Sequence, residues 1–177
     1  MDKNELRSSM MKKRGELSAL EHCNLSNIIF NKVIHDERFL NAHHVGLYVS
    51  FKNEVDTLKL IDFCLSHGKR VSVPRVSGKT MDFYEIKNKD ELKPGTFGVL
   101  EPTTGAITDK NSIDIIYVPL LAYDRSNHRV GYGKGYYDNY LNGYCNLTIG
   151  LAFSFQMVDS FVTNPFDFPL NFIYNEL

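Results

Sequence analysis

The chain has 177 residues, of which 43% are hydrophobic and 23% charged, and its 20 basic side chains nearly balance 21 acidic ones. This composition is that of an ordinary folded domain and excludes bulk disorder. A near-neutral charge argues against a nucleic-acid-binding or membrane-surface protein, because such proteins carry a basic excess. We therefore expect one domain, residues 1–177, with a sizeable buried core.

Short apolar runs and a charged first segment, MDKNELR, predict neither a membrane span nor a signal peptide. The three cysteines, Cys23, Cys64 and Cys145, lie far apart and form no CxxC pair. Neither a disulfide framework nor a zinc site is predicted from them. Reduced thiols and a cytoplasmic location are the expectation.

Predicted strands and helices alternate along the chain. Helical patterns cover residues 3–17, then a stretch that opens with a capping box at Ser18–Glu21 and continues through NLSNIIFNKVI, and then residues 56–68. Strands are predicted at 44–50, 70–76, 81–86, 114–123, 147–153 and 172–177. This alternation predicts an α/β domain with a largely parallel sheet.

Two segments stand out from this pattern. Residues 114–123, DIIYVPLLAY, are nearly all apolar, which is typical of a strand buried on both faces. Residues 93–112 are predicted to form a long surface loop without regular structure, and such loops are often functional.

The stretch RVGYGKGYYDNYL, residues 129–141, places three glycines between the buried strand and a short predicted helix. Ligands of open α/β sheets bind at the carboxyl ends of the strands, where successive glycine N–H groups can hold an anion. Lys134 and Arg129 add charges suited to phosphate. The spacing fits neither GxxxxGK[ST] nor GxGxxG, and a tight turn with a bulge explains the glycines equally well. We expect Tyr137 and Leu141 to anchor the helix in the core.

Asp138 lies beside this glycine loop. A carboxylate there would repel a phosphate unless a divalent ion such as Mg²⁺ lay between them. Asp138 could equally do no more than favour the first turn of its helix. The spacing leaves both interpretations open.

The first predicted helix carries a basic face. At about 100° per residue, Lys3, Arg7 and Arg14 fall within about 40° of one another, and Leu6, Met10 and Leu17 form an adjoining apolar stripe. Packing on that stripe would bring Lys3 and Arg7 to the rim of a site. The alternative is a solvated basic face.

Glu54 follows the first predicted strand, again at the carboxyl edge of the sheet. It is either a ligand acceptor or an exposed loop acid. The histidines show no metal-ligand spacing, and His43 and His44 are predicted to point to opposite faces of a strand. No signature of a covalent side-chain intermediate is found.

Over almost its whole length the sequence resembles the 5-formyltetrahydrofolate cyclo-ligase family, also called methenyltetrahydrofolate synthetase. The resemblance rests on K-x-x-x-R at 3–7 with Arg14 and LS at 17–18, NEVDT at 53–57, RVSVPRVSGKTMDFYEI, FGVLEPT, DIIYVPLLAYDRSNHRVGYGKGYYDNYL, and the tail GLAFSFQMV…NPFDFPLNFIYNE. One departure lies at the carboxyl end, where YNE replaces the usual Thr-Glu pair, so no role is assigned to Glu176.

The resemblance implies a three-layer α/β/α fold similar to the ribose-phosphate-isomerase and coenzyme-A-transferase group. It implies an ATP- and Mg²⁺-dependent enzyme that converts 5-formyltetrahydrofolate, including polyglutamylated forms, to 5,10-methenyltetrahydrofolate with release of ADP and phosphate. The formyl oxygen would be phosphorylated and N10 would then close the ring. A cytoplasmic monomer without nucleic-acid or membrane partners is expected.

By position, the resemblance also implies three groups of site residues. The ATP contacts are Lys3, Arg7, Arg129, Gly131, Tyr132, Gly133, Lys134, Gly135, Tyr136 and Tyr137. The folate contacts are Val49, Glu54, Tyr132, Lys134 and Tyr136. The Mg²⁺ ligands are Asp138 and Asp167, and Lys134 and Arg129 carry the catalytic charge.

Two other functions remain open at this point. One is a non-catalytic relative that binds nucleotide or folate. The other, from the fold alone, is an enzyme that acts on sugar phosphates or acyl-coenzyme A. A coenzyme-A transferase would need a glutamate nucleophile, for which Glu54 is the only candidate, and Glu54 lacks the expected glycine setting. The retained charges of Lys134, Asp138 and Arg129 favour the cyclo-ligase.

Overall fold

The computed structural model describes residues 2–177. Its strands are β1 (His44–Leu47), β2 (Arg70–Ser77), β3 (Thr80–Ile86), β4 (Leu92–Pro94), β5 (Leu100–Pro102), β6 (Ile115–Pro119), β7 (Ala122–Tyr123), β8 (Arg129–Val130), β9 (Leu147–Leu151) and β10 (Phe172–Tyr174). Six of them form the central sheet in the order β10-β9-β6-β1-β2-β3. Every neighbouring pair in it is parallel except the antiparallel β2 and β3. The predicted, largely parallel α/β sheet is confirmed.

The α-helices are α1 (Lys3–Gly15), α2 (Ala19–Ile34), α3 (Glu37–Asn41), α4 (Leu58–Ser66) and α5 (Tyr136–Leu141). Helix α2 begins at the predicted capping box, where the Glu21 N–H donates to Ser18 Oγ at 3.1 Å and the Ser18 N–H donates to the Glu21 carboxylate at 2.8 Å. The short α3 was not predicted. No helix within residues 2–177 is both long and apolar enough to cross a membrane.

Alternate residues of β6 enter two different cores, as the twofold side-chain period of a strand requires. Ile115 and Tyr117 pack with residues of α2, α3 and α4, whereas Ile116 and Val118 pack in a second cluster that includes Leu141 of α5. Helices therefore cover both faces of the sheet. This is the three-layer α/β/α arrangement that the resemblance implied.

The prediction of one strand over 114–123 is wrong. Strand β6 ends at Pro119, and β7 pairs with β8 in a separate antiparallel sheet. The carbonyls of Leu120 and Leu121, between β6 and β7, accept hydrogen bonds from Gln156 Nε2 at 2.9 and 3.0 Å. Because the residues remain buried through the break, their apolar character does not reveal it.

The prediction of an irregular loop over 93–112 is also wrong in part. Strands β4 and β5 pair antiparallel and are joined by a turn at 96–98. Phe97 in this turn has a φ of +59° and is 64% exposed. The hairpin brings an aromatic side chain to the carboxyl edge of the sheet.

Candidate active site

A cavity of about 420 Å³ opens at the carboxyl ends of β1, β2 and β6. All of the predicted site residues line it: Lys3, Arg7, Val49, Glu54, Arg129, residues 131–137, Asp138 and Asp167. They come from four separate parts of the chain. The fold thus brings together every residue that the sequence predicted for the site.

The glycine loop, residues 131–135, presents its backbone to this cavity. Gly133 and Gly135 have φ values of +89° and +73°, which favour glycine, and Gly135 immediately precedes α5. Within residues 2–177, no backbone N–H of the glycine loop donates a hydrogen bond. These donors therefore have no acceptor among the described residues. Their freedom suits an anion-binding loop.

Arg129 lies beneath the glycine loop and is only 6% exposed. A Cβ atom on Gly131 would lie 2.7 Å from Arg129 Nη1, so this glycine permits the close approach. Arg129 Nη2 donates to Asp138 Oδ1 at 2.9 Å, whereas its buried Nε has no partner in the described chain. Burial lowers the pKa of Arg129, and the Asp138 carboxylate opposes this effect.

Asp138 does not cap its own helix by a hydrogen bond, because α5 begins without a side-chain cap. Its Oδ1 atom accepts from Arg129 and, at 3.4 Å, from the Phe168 N–H. Asp138 nevertheless lies in the first turn of α5, so both roles that the sequence left open remain compatible with the structure.

The basic face of α1 lies against the cavity rather than in solvent. Lys3 Nζ donates to Asp167 Oδ2 at 2.5 Å, and Arg7 Nε donates to the Gly131 carbonyl at 2.8 Å. Burial raises the pKa of Asp167, but the hydrogen bonds from Lys3 and from the Asn164 N–H outweigh it and hold that pKa below its usual value. The cation at residue 3 and the acid at residue 167 are thus paired at the cavity rim.

Glu54 is 8% exposed, so it is not an exposed loop acid. Tyr132 OH donates to Glu54 Oε1 at 2.5 Å, and the Phe51 N–H donates to Oε2 at 2.8 Å. Arg14 Nη2 in turn donates to Tyr132 OH at 2.8 Å. Burial raises the pKa of Glu54, and the hydrogen bonds from Tyr132 and Phe51 oppose that rise.

Lys134 is an exposed residue that lines the cavity, with its Nζ atom 5.8 Å from the centroid of the Phe97 ring. The neighbouring Tyr132 is 45% exposed, and Tyr136 OH donates to the Gly78 carbonyl at 2.9 Å. Lys134 therefore keeps its charge available at the mouth of the cavity. Its ammonium forms no ion pair with a described residue.

Several cavity-lining side chains were given no role from the sequence: Met11, Arg14, Phe51, Phe97 and Glu101. Phe97 and Glu101 lie within the FGVLEPT segment, whose family resemblance was a signal without a role attached. Arg14 was recognised as part of the basic face, but its burial depends on packing between α1 and the glycine loop. No local pattern reveals that packing.

Comparisons with known proteins identify the family of the chain. A sequence model of the 5-formyltetrahydrofolate cyclo-ligase family matches residues 1–176. This chain belongs to that family. A 5-formyltetrahydrofolate cyclo-ligase from Mycoplasma genitalium is 34% identical, with 98% of this chain and 97% of the relative covered.

Two solved structures resemble this cyclo-ligase-family fold. The 5,10-methenyltetrahydrofolate synthetase of Mycoplasma pneumoniae has a TM-score of 0.83 at 30% identity, with 100% of both chains covered. That of Aquifex aeolicus has a TM-score of 0.88 at 33% identity, with 98% of this chain and 89% of the other covered. Family and fold therefore agree.

The cyclo-ligase-family cavity also has the donor set for a divalent ion bound together with a phosphate. Asp138 Oδ2 and Asp167 Oδ1 accept no hydrogen bond from described residues, so each carboxylate keeps one oxygen free. Within residues 2–177 no cluster of three or more His, Cys, Asp or Glu side chains could enclose a metal. Mg²⁺ characteristically takes one or two carboxylates and completes its shell with phosphate oxygens and water. The two acids fit that mode of binding.

Proposed function

We propose that this chain catalyses the ATP-dependent conversion of 5-formyltetrahydrofolate to 5,10-methenyltetrahydrofolate. The observation that carries the proposal is the hydrogen bond between Tyr132 and Glu54, which ties the predicted folate contact to the predicted triphosphate loop within one cavity. Two substrates that react with each other need such adjacent sites. The family and the names of the relatives support the same reaction.

In the proposed reaction the substrate supplies the nucleophile. The formyl oxygen attacks the γ-phosphorus of ATP, the bond from that phosphorus to the β,γ-bridging oxygen breaks, and ADP leaves. N10 of the folate then attacks the formyl carbon and loses its proton, and the carbon–oxygen bond to phosphate breaks. This chemistry needs no catalytic Ser or Cys, in agreement with the absence of such a signature in the sequence.

The protein's part is positioning and charge stabilisation. Lys3, Arg7 and the unpaired glycine-loop amides would hold the triphosphate. Arg129 and Lys134 would stabilise the charge on the transferred phosphoryl group, because a buried guanidinium and a mobile ammonium both suit phosphate oxygens. Tyr136 and Tyr137 would fix the end of the loop at the start of α5.

Asp138 and Asp167 would hold Mg²⁺. When bound, the ion would neutralise phosphate charge beside these acids. Arg129 and Lys3, which pair with the two acids, would then have donors free to turn to the nucleotide. Arg129 lies close to the glycine loop, since a Cβ atom on Gly131 would lie 2.7 Å from its Nη1 atom, and Lys3 lines the same cavity.

The folate would occupy the other side of the cavity. Val49 and Glu54 line that side, and Tyr132 of the glycine loop donates a hydrogen bond to Glu54 there. A buried carboxylate suits N–H donors of a heteroaromatic ring, since each such bond to a charged acceptor is stronger than a neutral one. Lys134 and Tyr136 would meet the folate where it approaches the triphosphate.

The direct test is spectroscopic. Purified protein is mixed with 5-formyltetrahydrofolate, ATP and Mg²⁺, and the ultraviolet absorbance of the methenyl product is followed, with reactions lacking ATP or Mg²⁺ as controls. We expect product only in the complete mixture. A flat trace from folded protein that still binds both ligands would favour the non-catalytic binding protein, which the names of the relatives do not favour.

We further propose that residues 1–177 act as a single-domain monomer in the cytoplasm, with polyglutamylated folates among the substrates. The central sheet takes strands from residue 44 to residue 174, which supports one folding unit. Light scattering at micromolar concentration tests the monomer, and competition between folates of different glutamate number tests the last point.

A further inference from the structure

Arg14 is a buried cation with few partners. It is 5% exposed, and its Nε atom is buried without a hydrogen-bond partner in the described chain. Its described side-chain hydrogen bond joins Nη2 to Tyr132 OH at 2.8 Å, and the guanidinium lies 5.8 Å from the centroid of the Tyr132 ring. Burying a charge is costly unless the charge is paired and hydrogen-bonded.

The hydrogen bonds around Tyr132 run in one direction, from Arg14 to Tyr132 and from Tyr132 to Glu54. A guanidinium has donors and no acceptor, so the Tyr132 oxygen must accept from Arg14. Its own hydrogen is then directed to Glu54 Oε1, 2.5 Å away. Glu54 Oε2 already accepts from the Phe51 N–H. Both Glu54 oxygens are therefore acceptors, which is the arrangement of an ionised carboxylate.

We propose that Arg14 is a positioning residue that fixes the direction of the hydrogen-bond chain from Arg14 through Tyr132 to Glu54. Without Arg14, the phenol oxygen could accept a hydrogen bond from a protonated Glu54 and the chain would reverse. With Arg14, Glu54 offers only acceptors to the cavity. The inference rests on the proposed function only in taking folate as the ligand of Glu54.

Other groups face Glu54 from every element around it. They are Arg14 on α1, His22 on α2, Tyr48 just after β1, Lys52 on the same loop, Tyr132 on the glycine loop and Tyr137 on α5. His22 donates to the Glu54 backbone carbonyl rather than to its carboxylate. Lys52 is exposed, with its ammonium over the Phe51 ring. Of these groups, Arg14 is the buried cation that is linked to the Glu54 carboxylate by hydrogen bonds, through the Tyr132 hydroxyl.

This arrangement determines the chemistry of the ligand edge that Glu54 can bind. An acceptor-only carboxylate binds N–H or O–H donors and repels carbonyl oxygens. A protonated Glu54 would tolerate an acceptor in the same place. Arg14, by acting through Tyr132, would thus make the site selective for a ligand edge that donates.

The experiment is a titration of Glu54 that needs no substrate. The ¹³C signal of the Glu54 side-chain carboxyl, assigned with Glu54→Gln, is followed against pH in the full chain carrying labelled glutamate. The variants are Arg14→Met, Arg14→Lys, Tyr132→Phe and the Arg14→Met/Tyr132→Phe pair. Lys13→Met is the matched control, because it removes one exposed positive charge from the adjacent position of α1.

We expect Arg14→Met to move the Glu54 midpoint upward by about 1 pH unit or more, and Lys13→Met to leave it in place. Arg14→Lys, which keeps a charged donor, should restore most of the wild-type midpoint. Added to Tyr132→Phe, Arg14→Met should have little further effect. In turnover, KM for the folate should rise as the pH falls in Arg14→Met while KM for ATP holds.

A Glu54 midpoint in folded Arg14→Met equal to that of the wild type would overturn the proposal. So would an Arg14→Met shift that is equally large in the Tyr132→Phe background, because Arg14 would then act directly rather than through the phenol. If Arg14→Met fails to fold, Arg14→Gln, which keeps an N–H donor but removes the charge, takes its place in the same comparison. An upward shift of the Glu54 midpoint that disappears in the Tyr132→Phe background supports the proposal, and no shift contradicts it. A failure of the proposed reaction would show instead in wild-type turnover, and leaves the titration readable.

Discussion

Tyr132 and Glu54 are 78 residues apart in the sequence and are joined by a hydrogen bond of 2.5 Å. Tyr132 belongs to the glycine loop, and Glu54 to the segment between β1 and α4. The bond connects the two proposed halves of the cavity, one for the triphosphate and one for the folate. Loss of this bond should weaken folate binding more than ATP binding.

Tyr132→Phe should raise KM for the folate about 10- to 100-fold, because a hydrogen bond to a charged group contributes about 1.5–3 kcal/mol. The buried Glu54 carboxylate would lose one of its two donors and bind the folate less well. Steady-state kinetics with each substrate varied in turn measures the effect.

Tyr144→Phe is the control for that substitution. Tyr144 is also buried and donates its hydroxyl to the Ile113 carbonyl at 2.7 Å, but it lies outside the cavity. It should lower the free energy of unfolding and leave both KM values alone. Equal folate KM values for the two variants would show that the Tyr132–Glu54 bond serves only the fold.

Gly133→Ala should raise KM for ATP about tenfold, which corresponds to a loss of about 1.4 kcal/mol of binding free energy. Gly133 has a φ of +89°, and a Cβ atom there would lie 3.1 Å from Arg7 Cζ. The added methyl group would displace Arg7 from the loop. Initial rates at varied ATP concentration give the KM.

Gly78→Ala provides the matched comparison, because Gly78 has a φ of +61° and no atom within 4 Å of the added Cβ. Both variants should lose about 1 kcal/mol of stability to the left-handed backbone, and only Gly133→Ala should lose affinity for ATP. Identical KM values for ATP in the two proteins would show that Arg7 and the glycine loop do not bind the nucleotide.

Lys134→Ala should lower kcat about 100- to 1,000-fold, the usual effect of losing one group that stabilises transition-state charge. Folate binding, measured by calorimetry, should be nearly unchanged because the ammonium acts at the transferred phosphate. Lys93→Ala, at an exposed lysine on β4 outside the cavity, should change neither kcat nor folate affinity. Parallel loss of turnover and folate affinity in Lys134→Ala would mean that its role is misassigned.

His44 should make stability depend on pH. It is 2% exposed, and its Nε2 atom lies 2.7 Å from Ser72 Oγ. Burial, together with the charge of Arg70, holds the pKa of His44 below its usual value. A lowered pKa in the folded state means that the unfolded chain binds the proton more tightly, so stability is complete above about pH 6.5 and is lost as the pH falls below it.

The measurement compares urea midpoints at pH 7.5 and pH 5.5. Wild type and His43→Gln, at the exposed neighbour, should lose stability between the two, and His44→Gln should lose clearly less. The carboxylates contribute equally to all three proteins and cancel in the comparison. An equal loss in His44→Gln would show that His44 is not the group responsible.

Much of the fold was readable in the sequence because local chemistry and tertiary structure agree there. The capping box at Ser18–Glu21, the alternating strands and the glycine loop before α5 all depend on residues close together in the chain. The sequence also predicted a basic face on α1. Whether that face met solvent or a cavity was open, because the answer depends on where α1 packs.

What the sequence could not give depends on contacts between distant segments. The break after Pro119 is set by Gln156 of a later turn, and apolar residues continue through it. The residues around Glu54 in the sequence allowed either a ligand acceptor or an exposed loop acid, and its burial depends on contacts with the distant Tyr132 and with the Phe51 N–H. Arg14 was predicted as part of the basic face of α1, and its burial could not be predicted because Tyr132, its hydrogen-bond partner, lies 118 residues away.

The central claim is that the glycine loop binds the triphosphate while Glu54 binds the folate beside it. The most direct measurement is a crystal structure of the protein with a non-hydrolysable ATP analogue, Mg²⁺ and 5-formyltetrahydrofolate. We predict phosphate oxygens on the free amides of residues 131–135, Mg²⁺ on Asp138 and Asp167, and the folate ring on Glu54. A nucleotide bound elsewhere, or loop amides that bond to the protein instead, would contradict the account.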